Sequence, residues 1–241
     1  MAGERLLRIL SQLATRPGAD NESARLCVVA AEVTGMRGAG IMLMTGDVAR
    51  GSLCSSNPVS ALIEDLQFTL GEGPCIDAYH DERPVLEPDL ADPDTARWMA
   101  FSPPAVDAGV RAVFGFPVQV GVIRLGALNL YSDQPGALTH DQHADSLVMA
   151  GVAARAVLAM QADATPGTVA SELEVSANFR SVVHQASGMV SVQLGVSVGQ
   201  ALARMRAFAF SNNRLVDDVA KDIVARRLHF DNSDKDRGAD S

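Results

Sequence analysis

GVRAVFGFPVQVGVIRLGALNLYS, residues 109–132, reads as two β-strands that meet at Gly121. Val113, Phe114, Phe116 and Val118 before that glycine, and Ile123, Leu125, Leu128, Leu130 and Tyr131 after it, are residue types that fit a pleated, half-buried surface. The pair predicts the centre of an antiparallel sheet. Upstream, GIMLMTG (40–46) and VARGSLCSS (48–56) are shorter β-leaning runs joined at Gly46 and Asp47, which reads as a hairpin.

Helices flank these strands. Residues 4–16 repeat apolar side chains at Leu6, Leu7, Leu10 and Leu13, and residues 20–34 at Leu26, Val29, Ala30 and Val33, both at helical spacing. A third helix is expected over 58–69, with Pro58 in its first turn and Gly71 past its end. The Gly-, Pro- and Asp-rich stretch 71–104 reads as loops with one or two short helices, and loops of that length inside a compact domain usually serve function. Thr139 is placed to cap a long helix whose face carries Leu147, Ala150, Ala154 and Leu158. The result is an α+β domain over residues 1–164, closed by the break at Thr165, Pro166 and Gly167.

From Val169 the pattern is helical throughout. One helix is expected to run to Leu194, a second is capped by Ser197 and buries Ala201, Leu202, Met205, Phe208 and Ala209, and a third starts near Asn213 with Leu215, Val219, Ile223 and Val224 inward. Three amphipathic helices over 165–230 can close a small bundle. Residues 231–241, DNSDKDRGADS, are polar and read as a disordered tail.

The chain has 241 residues, 47% hydrophobic and 20% charged, the composition of an ordinary globular protein. The N-terminus has no unbroken apolar stretch of the signal-peptide kind, and no apolar run approaches the ~18 residues of a bilayer span, so a cytoplasmic protein is expected. Three cysteines, Cys27, Cys54 and Cys75, are an odd number without a C-x-x-C pair, which argues against a disulfide framework or a zinc site and suits a reducing compartment. His140 and His143 read as residues of a helix start rather than metal ligands. No G-x-S-x-G, Walker A or H-E-x-x-H step occurs, which argues against an enzyme.

A net charge of −9 opposes binding to a polyanion, but the charge is uneven. Residues 1–177 hold 11 Lys and Arg against 22 Asp and Glu, residues 178–230 hold 7 against 3, and residues 231–241 hold 2 against 4. One basic segment inside an acidic chain is the pattern of a single polyanion-facing module, although a solvated helix face gives the same pattern. Within it, Arg204, Arg206, Arg214, Lys221, Arg226 and Arg227 supply charge, and Ser211, Asn212 and Asn213 supply hydrogen-bonding groups at the last turn. Guanidinium predominates, which suits bidentate contacts to phosphate. Asp217 and Asp218 lie between Arg214 and Lys221 and could consume them.

Residues 186–230, ASGMVSVQLGVSVGQALARMRAFAFSNNRLVDDVAKDIVARRLHF, resemble the ANTAR family of bacterial antitermination regulators through Ala186-x-Gly188-Met189, Ala201-Leu202, Ala207-Phe208-Ala209 and Val219-Ala220. Residues 20–160 resemble a GAF domain, with Gly71-Glu72-Gly73-Pro74-Cys75 where GAF domains preceding ANTAR modules carry a G-E-G-P-C step. The resemblance implies a GAF-like antiparallel sheet flanked by helices, followed by a three-helix ANTAR bundle that dimerises and binds paired hairpins in nascent transcripts. RNA hairpins are read through loop bases and phosphates, so the implied RNA-binding set is Ala186, Ser187, Gly188, Arg204, Arg206, Ser211, Asn212, Asn213, Arg214 and Lys221. Many family members carry Lys where this chain has Ser187, so one charge is missing. The glycine of the A-x-G step suits either close helix packing or close approach to RNA.

GAF domains bind small ligands beside the sheet, and Cys75, Trp98 and Phe101 are the candidate pocket residues, with a packing role open to each. The N-K-x-x-x-E signature of cyclic-nucleotide binders is absent, and no ligand or cofactor is named. The alternative is a ligand- or stress-sensing module that signals through protein partners, its C-terminal helices serving dimerisation.

Overall fold

The computed structural model describes residues 2–15, 22–46, 48–92, 97–162, 181–212 and 214–231. The chain divides into two compact units, Met1–Ala177 and Asn178–Ser241.

The first unit is built on a five-stranded antiparallel sheet in the order β2-β1-β5-β4-β3, formed by β1 (Gly38–Thr45), β2 (Val48–Ser55), β3 (Val85–Glu87), β4 (Ala112–Val120) and β5 (Ile123–Ser132). The stretch 109–132 is its central hairpin, as expected. Register sorts the side chains onto two faces, because successive residues of a strand point oppositely. Ile41 lies opposite Leu128 and Leu128 opposite Phe116, and this apolar row faces α2 (Glu22–Thr34) and α6 (His140–Ala162), with α1 (Ala2–Thr15) packed outside them. Leu26, Val29, Met149 and Ala153 fill that layer, all buried. Full burial of a side chain of leucine or methionine size contributes about 1.5–3 kcal/mol.

The opposite row, Gly40, Asn129 and Gly115, faces α3 (Pro58–Leu70) and α4 (Pro74–Asp81). A Cβ at Gly115 would overlap the Pro74 carbonyl oxygen, and one at Gly126 would overlap that of Met42. Both glycines are there because another backbone runs against them. Asn57 starts α3 by accepting the Ser60 N–H at 2.9 Å, and its Oδ1 also accepts the Tyr131 hydroxyl at 3.1 Å, which ties the helix start to β5. The sheet has short or irregular margins: β3 is three residues long, and β1 shifts register against β2 between Ile41 and Met42 and again between Leu43 and Met44.

Cys27 of α2 and Cys54 of β2 are joined as a disulfide, with Cα atoms 5.9 Å apart. The expectation drawn from an odd cysteine count is therefore corrected. Parity shows only that one thiol is left over, and α2 crossing β2 decides which two meet. Outside the core, Asp145 on α6 receives Arg5 at 2.8 Å and Arg8 at 2.6 Å, which pins α1. Burial pushes the Asp145 carboxyl up, but hydrogen bonds from Arg8 and Arg5 outweigh that and hold it below the usual carboxylate range. Among the described residues, α6 is the one helix long and apolar enough by length and composition to cross a bilayer, and half of its most apolar window is buried in the protein. Its alanines raise the hydropathy without forming the unbroken run sought in the sequence.

The second unit contains α7 (Ser181–Leu194), α8 (Val198–Ser211) and α9 (Val216–Val224). Ser197 caps α8 through a reciprocal pair, its Oγ accepting the Gln200 N–H and Gln200 Oε1 accepting the Ser197 N–H. Val183, Val190, Ala201, Leu202, Met205, Val219 and Ile223 form the shared core, each at most 3% exposed. The expected helix 169–194 is seen from Ser181, and its first part lies outside the described residues, as does the tail from 232 onward.

Candidate functional site

The second unit gathers the basic segment onto short helices, and the structure divides the expected site residues into distinct groups. Ala186 and Ser187 are fully buried on the inner face of α7, and Ser187 Oγ donates to the His184 carbonyl at 2.8 Å. Both side chains belong to the packing of α7. Gly188 beside them is half-buried, and nothing described lies within 4 Å of a Cβ placed there. Close packing among the described residues thus does not account for that glycine.

Three expected cations are engaged with acids on or beside α9. Arg214 meets Asp222 at 2.5 Å, Arg227 meets the same carboxylate at 2.7 Å, and Lys221 meets Asp218 at 3.2 Å. Arg214 and then Arg227 hold the Asp222 carboxyl below the usual range. Arg204 and Arg226 have no acidic partner among the described residues, and Arg226 adopts a left-handed backbone at φ 57° just past α9. Arg206 is half-buried on the outer flank of α8. Ser211 and Asn212 are exposed at the end of α8, and both side chains donate to the Phe208 carbonyl, at 3.2 and 2.8 Å. They finish the helix by satisfying a carbonyl of its last turn. Asn213 lies outside the described residues.

Sequence reading overlooked Phe210. It is 63% exposed, whereas Phe208 two residues earlier turns inward and packs edge-to-face on Phe230 at 5.4 Å. The signal was present, since Phe210 falls outside the apolar face set by Ala201, Leu202, Met205 and Ala209.

In the first unit, Cys75, Trp98 and Phe101 do come together, but as members of one buried cluster with Ile63, Ala78 and Val113. Trp98 and Phe101 pack edge-to-face at 5.8 Å. All three side chains are packed within this cluster. The loop around them is fastened by polar groups that composition did not reveal. Glu72 accepts the Ala100 and Phe101 N–H groups at 2.7 and 2.8 Å, Asp77 accepts Trp98 Nε1–H at 3.0 Å, and Gln67 Oε1 accepts the Cys75 N–H at 2.7 Å. The G-E-G-P-C step is thus a fastening between α3, α4 and the 98–101 turn. Burial, with the nearby Glu64 charge, pushes the Cys75 thiol well above its usual range, so it stays protonated and unreactive at neutral pH.

Two cavities lie away from that cluster. One of about 560 Å³ is bordered by Leu86, Phe114, Leu138, His140, His143 and Leu147, and one of about 480 Å³ by Leu6, Leu10, Leu13, Arg25, Val152 and Arg155. Both volumes fall in the range of small-molecule sites.

The GAF domain family model matches residues 21–161, and the ANTAR domain family model matches residues 171–224. Among solved structures, the GAF domain of an Acinetobacter phosphoenolpyruvate-protein phosphotransferase is similar, with 15% identity and a TM-score of 0.51, covering 67% of this chain and 96% of that one. The GAF domain of the corresponding Coxiella burnetii protein gives 14% identity and a TM-score of 0.51, covering 67% and 95%. These likenesses establish the fold. No curated protein matches the chain. A sheet of this topology with its flanking helices, followed by three helices over the ANTAR segment, leads to one assignment: the chain belongs to the GAF-domain family and joins that sensor domain to a C-terminal ANTAR domain, an RNA-binding antitermination module.

Proposed function

We propose that the chain is a cytoplasmic transcription antitermination regulator in which the GAF domain controls a dimeric ANTAR module that binds hairpins in nascent transcripts. The observation that carries this reading is the concentration of 7 Lys and Arg against 3 Asp and Glu in residues 178–230 of an otherwise acidic chain. Arg204 and Arg226 support it, having no acidic partner among the described residues and so keeping their charge for phosphate. The A-x-G step contributes through Gly188, while Ala186 and Ser187 shape the helix beneath it. A small molecule in the GAF domain is the proposed signal, and the role is regulatory rather than catalytic.

The test is a titration of the full chain against a stem–loop RNA pool at several salt concentrations. Binding whose logarithm falls steeply with the logarithm of salt is expected, and Arg204→Glu with Arg226→Glu should lower affinity and reduce that slope by roughly one unit for each phosphate no longer neutralised. Sedimentation should give a dimer. Salt-independent binding, or none, would overturn the reading and leave a sensor that signals through protein partners.

A further inference from the structure

On the α2 and α6 side of the sheet, away from the cluster of Cys75, Trp98 and Phe101, helices α1, α2 and α6 border the cavity of about 480 Å³. Its apolar lining includes Leu26 and Val152, both buried, Leu6 and Leu13, packed against the same core, and Leu10, which is 44% exposed.

Two cations border this apolar space, Arg25 of α2 and Arg155 of α6. Residues 1–177 hold 22 Asp and Glu against 11 Lys and Arg, and arginines elsewhere in the unit find acids: Arg5, Arg8, Arg37, Arg97, Arg111 and Arg124 each meet an aspartate or glutamate. Neither Arg25 nor Arg155 has an acidic partner among the described residues, and both lie on the same cavity. Arg25 makes one hydrogen bond there, Nη1 donating to the Leu13 carbonyl at 3.3 Å, and its Nε has no acceptor. A guanidinium carries five N–H donors in a fixed fork, so both side chains keep donors for a carboxylate.

An apolar cavity of this volume with two unpaired guanidiniums is complementary to a small molecule with a hydrocarbon body and one anionic end. A neutral lipid would leave both cations unmet. A two-fold contact with a second copy at this cavity would set leucines and the same two arginines against themselves.

We propose that this cavity binds a free fatty-acid carboxylate, its chain against Leu6, Leu10, Leu13 and Leu26 and its carboxylate held by Arg25 and Arg155. The proposal rests on the reading of the GAF domain as a small-molecule sensor, and adds the cavity and the class of molecule.

The experiment is a calorimetric titration of the full chain with decanoate and with 1-decanol, both kept below the concentrations at which they aggregate. The parent should bind one decanoate per chain, more tightly than 1-decanol by about tenfold or more, and decanoate should raise the melting temperature of the GAF unit. Arg155→Met keeps an apolar stem, removes the charge and breaks no ion pair among the described residues. It should weaken decanoate by about tenfold, leave 1-decanol unchanged and match the parent in circular dichroism. Arg25→Met should act alike, with its melting curve recorded because Arg25 also bonds to α1. Ala156→Trp, at a residue lining the same cavity, should abolish binding of both molecules. Decanoate binding that is absent, matched by 1-decanol, or indifferent to Arg155→Met and Ala156→Trp alike overturns the proposal. So does a larger species that sediments as a smaller one in Ala156→Trp, which assigns the cavity to a contact between copies. Decanoate that binds as expected but leaves stem–loop RNA affinity unchanged supports the cavity assignment and overturns control by the GAF domain.

Discussion

The GAF unit and the ANTAR unit use the same side chains to different ends. In the GAF unit polar groups are spent internally: Glu72 on two backbone N–H groups, Asp77 on the Trp98 indole, Gln67 on the Cys75 amide and Asp145 on two arginines. In the ANTAR unit the core is small and apolar, Asp222 and Asp218 engage three cations at the surface, and Arg204, Arg226 and Phe210 are left facing outward. Fastening suits a domain that must hold a shape around a signal. A surplus of cations suits one that must meet a polyanion.

The contrast is broken most forcefully from the GAF side. Gly126→Val drives a side chain into the Met42 backbone and should destabilise the GAF unit by about 3 kcal/mol or more, while the ANTAR transition stays where it is; calorimetry of the full chain resolves the two. Next in size is the Cys27–Cys54 disulfide, which closes a loop of 27 residues. Reductant should lower the stability of the GAF unit by about 3 kcal/mol and leave the ANTAR transition unmoved. A GAF melting curve unchanged by reductant would show that the pair adds nothing.

Asp145→Asn is a smaller perturbation, about 1 kcal/mol at pH 7, since its partners reach solvent. Its sign with pH follows from a depressed carboxyl. The stabilisation is fully present above the ordinary aspartate range of about 4 and disappears as acid protonates the folded form below it. Parent and variant should therefore converge in melting temperature on acidification, and a gap that persists at the acid end would argue against the ion pairs as its cause. The smallest change is Asp222→Asn, which releases Arg214 and Arg227 and should tighten hairpin binding roughly threefold at low salt. A filter-binding assay showing weaker binding would mean the carboxylate positions those arginines rather than occupying them.

Much of the fold was legible from periodicity. The 109–132 hairpin, the Ser197 cap and the helical face around Met205 follow from patterns of residue type that a single strand or helix imposes on itself, whereas on α6 only Ala150 and Ala154 of the expected face are buried and Leu147 is 47% exposed. The site was less legible, because it depends on what crosses what. Nothing in the sequence places Cys54 beneath Cys27, and the strand glycines at 40, 115 and 126 give no reason for lacking a side chain until the opposing groups are seen. Glu72 and Gln67 read as ordinary polar residues until their backbone partners appear. The A-x-G step was recognisable as a motif, yet only packing shows that Ala186 and Ser187 turn inward and leave Gly188 open. Phe210 was legible in the opposite sense: it falls outside the apolar face of its helix, and the structure leaves it 63% exposed.

The margins of the sheet have a bearing on how the protein behaves when crowded. With β3 only three residues long and β1 twice out of register against β2, neither margin offers a long, straight row of free amides and carbonyls for a strand from another molecule to extend. High concentrations of the chain should therefore stay clear of fibrous aggregates seeded at the sheet, which leaves self-association to the helices.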